Sequence, residues 1–138
     1  MNDNHHTPLG NIAVIRGAIH ADPNLRDLPG GGAVVQFDVS TITVADGREI
    51  AVSVPVAWHD PTAAQLSIVT SGAEVVVIGT VRRRFFRVGG ATQSRTEVVA
   101  DAVVPTRQRK RIATALHEVA DRSPESVARG VAAVSRGA

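Results

Sequence analysis

The sequence predicts a mainly β protein: five strands closed into a Greek-key barrel, with a short helix between the third and fourth strands and a helical segment after the last. Strand-type patterning runs to about residue 105 and helix-type patterning follows it. Asp46-Gly47 and the glycine pair Gly89-Gly90 each read as the connection of a hairpin. Asp60-Pro61 opens a helical pattern in the middle of the strand region. With 138 residues the chain has room for one domain and a tail. The expected division is a tail at 1–9, the barrel at 10–105, and a basic cluster with short helices at 106–138.

In chain order, residues 10–20 (GNIAVIRGAIH) are apolar around Gly17, which suits a buried strand that bends or is closely approached by another backbone. Asp22-Pro23-Asn24 and Pro29-Gly30-Gly31-Gly32 carry turn chemistry, with Leu25 and Leu28 between them placed to dip into a core. Over 33–44, Val35, Phe37 and Val39 alternate with Gln36, Asp38 and Ser40, the mark of a half-buried strand. Its hairpin partner is 49–58 (EIAVSVPVAW), where Pro55 predicts an edge, a bulge or a local break because it has no N–H to donate. A short helix is expected over 60–70, with Asp60 as its N-cap and Pro61 at its first position. Residues 73–87 form a long apolar strand that turns basic and aromatic, and 94–104 return beside it. Five antiparallel strands with a helix between the third and fourth is the layout of the OB-fold, a barrel that binds oligonucleotides or oligosaccharides.

Past Pro105, Ile112, Leu116 and Val119 share a helical face. Ser123-Pro124-Glu125 then starts a second helix carrying Val127, Val131 and Val134. Two roles are open for these helices: docking on the barrel or a neighbouring subunit, or a further contact with an oligonucleotide bound by the barrel, seeded by the cluster Arg107-Gln108-Arg109-Lys110-Arg111.

Charge is distributed unevenly. Nine of the 15 basic residues lie between 82 and 111, against the two acids Glu97 and Asp101, so this stretch carries +7 in a chain whose net charge is +2. All but Lys110 are arginines, which pair with phosphate bidentately and stack on flat rings. An anionic partner follows from that pattern, beside the plainer reading of a solvated surface built from arginine.

Several chemistries are excluded. No cysteine is present, so there is no disulfide, thiolate nucleophile or cysteine zinc site, which fits a reducing compartment. There is no apolar run of membrane-spanning length, and the first ten residues have neither the basic start nor the apolar stretch of a secretory signal. Of the histidines, His5 and His6 sit together in the tail, and His59 adjoins Asp60 with no nucleophile indicated. Gly30-Gly31-Gly32 lacks the Gly-Lys-Ser/Thr ending of a phosphate loop. Neither a cofactor nor a metal nor a catalytic role is expected.

In order and spacing, the pieces resemble the bacterial single-stranded DNA-binding protein family over about residues 9–104. They are Asn11 to Gly17, Asp22-Pro23-x-x-Arg26-x-x-Pro29, Val35-x-Phe37, Trp58 before a short helix, Gly72-x-x-Val75-x-Val77-x-Gly79-x-Val81-Arg82-x-Arg84-x-Phe86, and Thr96-Glu97-Val98-Val99-Ala100. The likeness is greatest to short actinobacterial members or paralogues. It implies single-stranded DNA binding with little sequence preference, in replication, recombination or repair. It also implies assembly as a homotetramer or other homo-oligomer, and a cytoplasmic, nucleoid-associated location.

Such binding needs cations for the phosphates and flat rings for the bases. The resemblance puts Phe86 at a stacking position of the fourth strand and Trp58 at a second one closing the third. Trp58 also continues the alternation of Val52, Val54 and Val56, so capping the core is the competing role. By period two, Arg82, Arg84 and Phe86 share one face of the fourth strand while Arg83 and Phe85 share the other. The first set is the expected DNA-binding face, with Arg87 and Arg95 flanking the 88–94 loop.

The chain departs from the family in two ways. Phe37, Trp58, Phe85 and Phe86 are all its aromatic residues, fewer than members usually carry, and Phe37 alternates with core valines. The flexible linker and acidic tip that recruit repair enzymes are replaced here by the helical pattern. An OB-fold assembly or protein-interaction module with weak or lost nucleic-acid binding is the alternative function, and RNA or oligosaccharide binding a third.

Overall fold

The computed structural model describes residues 10–121. The histidines of the tail, the helix expected from Ser123 and the absence of an acidic tip all lie outside the described residues. Within them the chain runs β1 (Ala13–Asp27), β2 (Ala33–Ala45), β3 (Arg48–His59), α1 (Ala63–Leu66), β4 (Glu74–Val88), β5 (Ala91–Pro105) and α2 (Arg109–Ala120).

The strands close in the order β1-β2-β3-β5-β4, with β1 returning to pair with β4. Four of the pairings are antiparallel, but β3 and β5 meet in parallel, at Val56↔Val98 and Ala57↔Val99. The all-antiparallel expectation is corrected there: β3 and β5 are separated by α1 and β4, so the seam that closes the ring is not a hairpin.

Both hairpins turn on two residues, Asp46-Gly47 (φ 52° and 73°) and Gly89-Gly90 (φ 59° and 82°). Positive φ at both central positions gives the turn whose twist matches that of its strands. At Gly17 the constraint is space, since a Cβ there would collide with the Ser40 carbonyl where β1 crosses β2.

The interior is built from inward residues of every strand, among them Ile19, Val35, Phe37, Val39, Val56, Val75, Val77, Val98 and Val103, all buried. Leu66 and Ile68, from α1 and the segment after it, pack against this cluster partly buried. Pro55 interrupts nothing: it pairs opposite Asp38 at a point where β3 has no register partner in β5, so a missing donor is tolerated.

Three local readings change. The Asp22-Pro23-Asn24 segment is no turn but a bulge inside β1 between His20 and Asn24, with Ala21 at φ 63°. Leu25 is 52% exposed and does not enter the core. The expected helix is a single turn capped by Thr62, whose hydroxyl accepts from Gln65 N–H while the Gln65 side chain accepts from Thr62 N–H. Asp60 instead accepts from Ala33 N–H at 2.9 Å, tying the end of β3 to the start of β2.

Helix α2 lies against the outer face of β4, where Val119, Ile112 and Ala115 cover Val76 and Ile78. It splits the basic cluster: Lys110 and Arg111 border Ala102 and Val104 on one side, Arg107 and Arg109 border Val14 and Val76 on the other.

Candidate nucleic-acid interface

Beyond the closed part of the ring, β4 and β5 continue as a two-stranded arm paired from Arg82↔Glu97 to Val88↔Ala91. The register puts Arg82 opposite Glu97, Arg84 opposite Arg95 and Phe86 opposite Gln93 on one face. Arg83 opposite Thr96, Phe85 opposite Ser94 and Arg87 opposite Thr92 occupy the other.

The first face holds a carboxylate in its midst. Glu97 is 3% exposed, and its Oε1 accepts from Arg82 Nη2 at 2.8 Å and lies 3.7 Å from Arg84 Nε. Burying a carboxylate is tolerated only when it is paired, and Arg82 supplies the pairing. Arg84 Nε is itself buried with no hydrogen-bond partner, while its guanidinium lies 5.8 Å from the Phe86 ring centroid. Arg95 reaches Asp38 on β2 at 3.4 Å. The predicted set Arg82, Arg84, Phe86 and Arg95 is therefore brought together, but its arginines are already engaged with Glu97 and Asp38, and Phe86 is half-buried.

Arg82→Met leaves Glu97 with only the longer Arg84 contact, so it is expected to cost about 1–2 kcal/mol of folding stability. Urea denaturation reads this directly; an unchanged midpoint would show that the pair adds nothing.

The opposite face has no acid. Phe85 is 65% exposed, the most exposed ring of the chain, and the Arg83 guanidinium sits 5.7 Å from its centroid. Arg83 donates only to Ser94 Oγ, at 3.2 and 3.3 Å, and Arg87 donates to the Gly90 carbonyl at 3.3 Å. Most guanidinium donors on this face remain available. Sequence reasoning placed Phe85 and Arg83 on this face but chose the other one. The signal that separates them was present: counting outward from Gly89-Gly90 sets Glu97 across from Arg82.

Of the two roles open to Trp58, the structure places it in the core-capping one. It is 5% exposed and packs in the core cluster, across β2–β3 from Val35. The alternation of Val54, Val56 and Trp58 continues inward to the end of β3, so the indole closes the barrel rather than presenting a platform.

Among the described residues no group of His, Asp and Glu is placed to hold a metal ion. A closed five-stranded barrel with a one-turn helix ahead of β4 and a basic, ring-bearing arm at its mouth defines an OB-fold ligand-binding domain. The chain belongs to the Single-strand binding protein family, whose sequence model it matches over residues 11–106. Among solved structures it is similar to the Plasmodium falciparum single-strand binding protein in complex with single-stranded DNA, with a TM-score of 0.62 and 17% identity, covering 76% of this chain and 98% of that one. No curated protein matches it in sequence. Helix α2, starting at Arg109, lies beyond the family match.

Proposed function

We propose that this chain, a single-stranded DNA-binding protein by family, grips the strand chiefly with the β4–β5 arm, and that it does so without chemistry of its own. The observation that carries the reading is the Phe85 ring, 65% exposed and flanked by Arg83 and Arg87, neither with a carboxylate partner among the described residues. A ring serves any base and a guanidinium any phosphate, so the contact is indifferent to sequence. Arg82, Arg84 and Arg95 add a second line of cations whose heads are held by Glu97 and Asp38, with Phe86 beneath Arg84. The barrel ends near residue 105, and the C-terminal segment is an addition to it whose helix α2 docks on β4. The cellular setting is replication, recombination or repair on nucleoid DNA in the cytoplasm; among the described residues no helix is long and apolar enough to cross a membrane.

Assembly with further copies is part of the proposal. It is supported by apolar side chains left exposed on the β2–β3 hairpin: Ile42 at 62%, Val44 at 69% and Ile50 at 47%. The same side chains favour the alternative, a protein-interaction module with little DNA affinity. Fluorescence anisotropy of a labelled dT oligomer at two salt concentrations separates the two. Saturable binding whose log affinity falls with log salt, by about 0.7 per phosphate contact, is expected. No saturable binding at low salt would leave the interaction module standing.

A further inference from the structure

We infer that Arg16, Arg107 and Arg109 form a second phosphate-binding surface, which takes up the backbone of the same single strand after it leaves the β4–β5 arm. The inference rests on the DNA-binding reading above. The three side chains come from distant parts of the chain, β1 and the entry to α2, yet line one open cleft of about 630 Å³ floored by Val14, Val76 and Ile112. All three are exposed, and none has a hydrogen bond or ion pair from its side chain to a described residue. This contrasts with the arm, where Arg82, Arg84 and Arg95 each face a carboxylate.

Glu74 lines the adjoining hollows with Arg16 and with Arg107 but makes no ion pair with either among the described residues, so three guanidinia against one carboxylate leave a positive rim that a further anion would join. The apolar floor argues for a ligand with more than phosphate to offer, since sugar and base edges can lie on Val14 and Ile112 while the backbone meets the rim. Helix α2 makes the cleft: its apolar residues Ile112 and Val119 dock on β4, which swings Arg107 and Arg109 to the side of Arg16 and sends Lys110 and Arg111 to the other. Two of the three arginines thus lie past the family match at residue 106, and the surface is an addition made by this chain's C-terminal segment.

Val76 and Arg82 lie on the same outward face of β4, and a DNA strand stacked on Phe85 reaches that face by crossing the arm's edge. The cleft is about 20 Å along β4 from the Arg82–Arg84 side of the arm. That exceeds the screening length of about 8 Å at physiological salt, so neutralising the cleft should not weaken the arm through space. A strand of about 4 nucleotides, the lower end of one barrel site, is no longer than that gap and should occupy the arm alone, whereas one of about 35 can reach both.

The test compares the wild-type chain with Arg16→Gln/Arg107→Gln/Arg109→Gln, using labelled dT oligomers of these two lengths across a salt series. Circular dichroism melting first checks that the fold is kept; all three positions are solvent-facing, and glutamine suits a helix about as well as arginine. The short oligomer should bind both proteins alike. For the long one, the variant should lose at least about tenfold in affinity at low salt, and its salt slope should fall by about 2, the release expected from three phosphate contacts. An unchanged slope on the long oligomer, or an equal loss on both lengths, overturns the second surface. If the wild-type chain binds neither length, the DNA-binding reading itself falls, an outcome distinct from either.

Discussion

Trp58→Ala should cost about 3–5 kcal/mol of folding stability, the range for emptying a buried aromatic site. The indole is 5% exposed in the core cluster with Val35, Phe37 and Val56. Since single domains are stable by about 5–15 kcal/mol, the loss removes a large share of the total. The urea midpoint should fall with little change in its slope, because the surface exposed on unfolding is nearly the same. Under conditions where the variant is still folded, dT affinity should stay within about twofold of wild type, since the ring lies outside the binding face. Trp58 is the chain's single tryptophan, so its emission reports this site alone. Strong quenching by single-stranded DNA, together with a tenfold affinity loss in the well-packed Trp58→Phe, would return the residue to the interface.

The architecture was largely legible because it rests on local, periodic signals. The alternation of Val35, Phe37 and Val39, the Asp46-Gly47 turn and the long run from Glu74 each report on their own few residues, and each reappears as β2, its hairpin and β4. What depended on distant partners was harder to read. The parallel seam at Val56↔Val98 joins strands some forty residues apart, and nothing near either valine announces it. Trp58 could not be assigned from its own strand, because the same alternation serves a capping ring or a displayed one; its burial in the core cluster assigns it. The bulge at His20–Asn24 looked like a turn because Asp-Pro-Asn is turn chemistry, while β2 pairs on both sides of it and carries the strand through. At the site, the two faces of β4 were separable by parity alone, whereas their electrostatic difference was legible only by carrying the hairpin register across from Gly89-Gly90. That difference comes from β5, which sends Glu97 under one row of arginines and only Thr96 and Ser94 to the other.

Phe85→Ala should therefore weaken binding of a dT oligomer more than Phe86→Ala does. Each stacked base contributes about 1–3 kcal/mol by alanine substitution, equivalent to about 5–150-fold in affinity. At 65% exposure Phe85 has little packing to lose, so its removal should change stability by no more than about 0.5 kcal/mol. Phe86 is half-buried beside Arg84, and its removal should act more on the arm's stability than on the strand it holds. Neither substitution removes a charge, so the salt slope should stay at the wild-type value in both. Phe85→Leu separates stacking from simple apolar contact: leucine keeps much of the buried area but has no π face for a base or for Arg83, and should behave like alanine. Full retention in Phe85→Leu would make the contact hydrophobic rather than stacked. A larger loss from Phe86→Ala, with the fold intact, would show that bases enter on the Glu97 side, which requires the strand to meet guanidinia already held by a carboxylate.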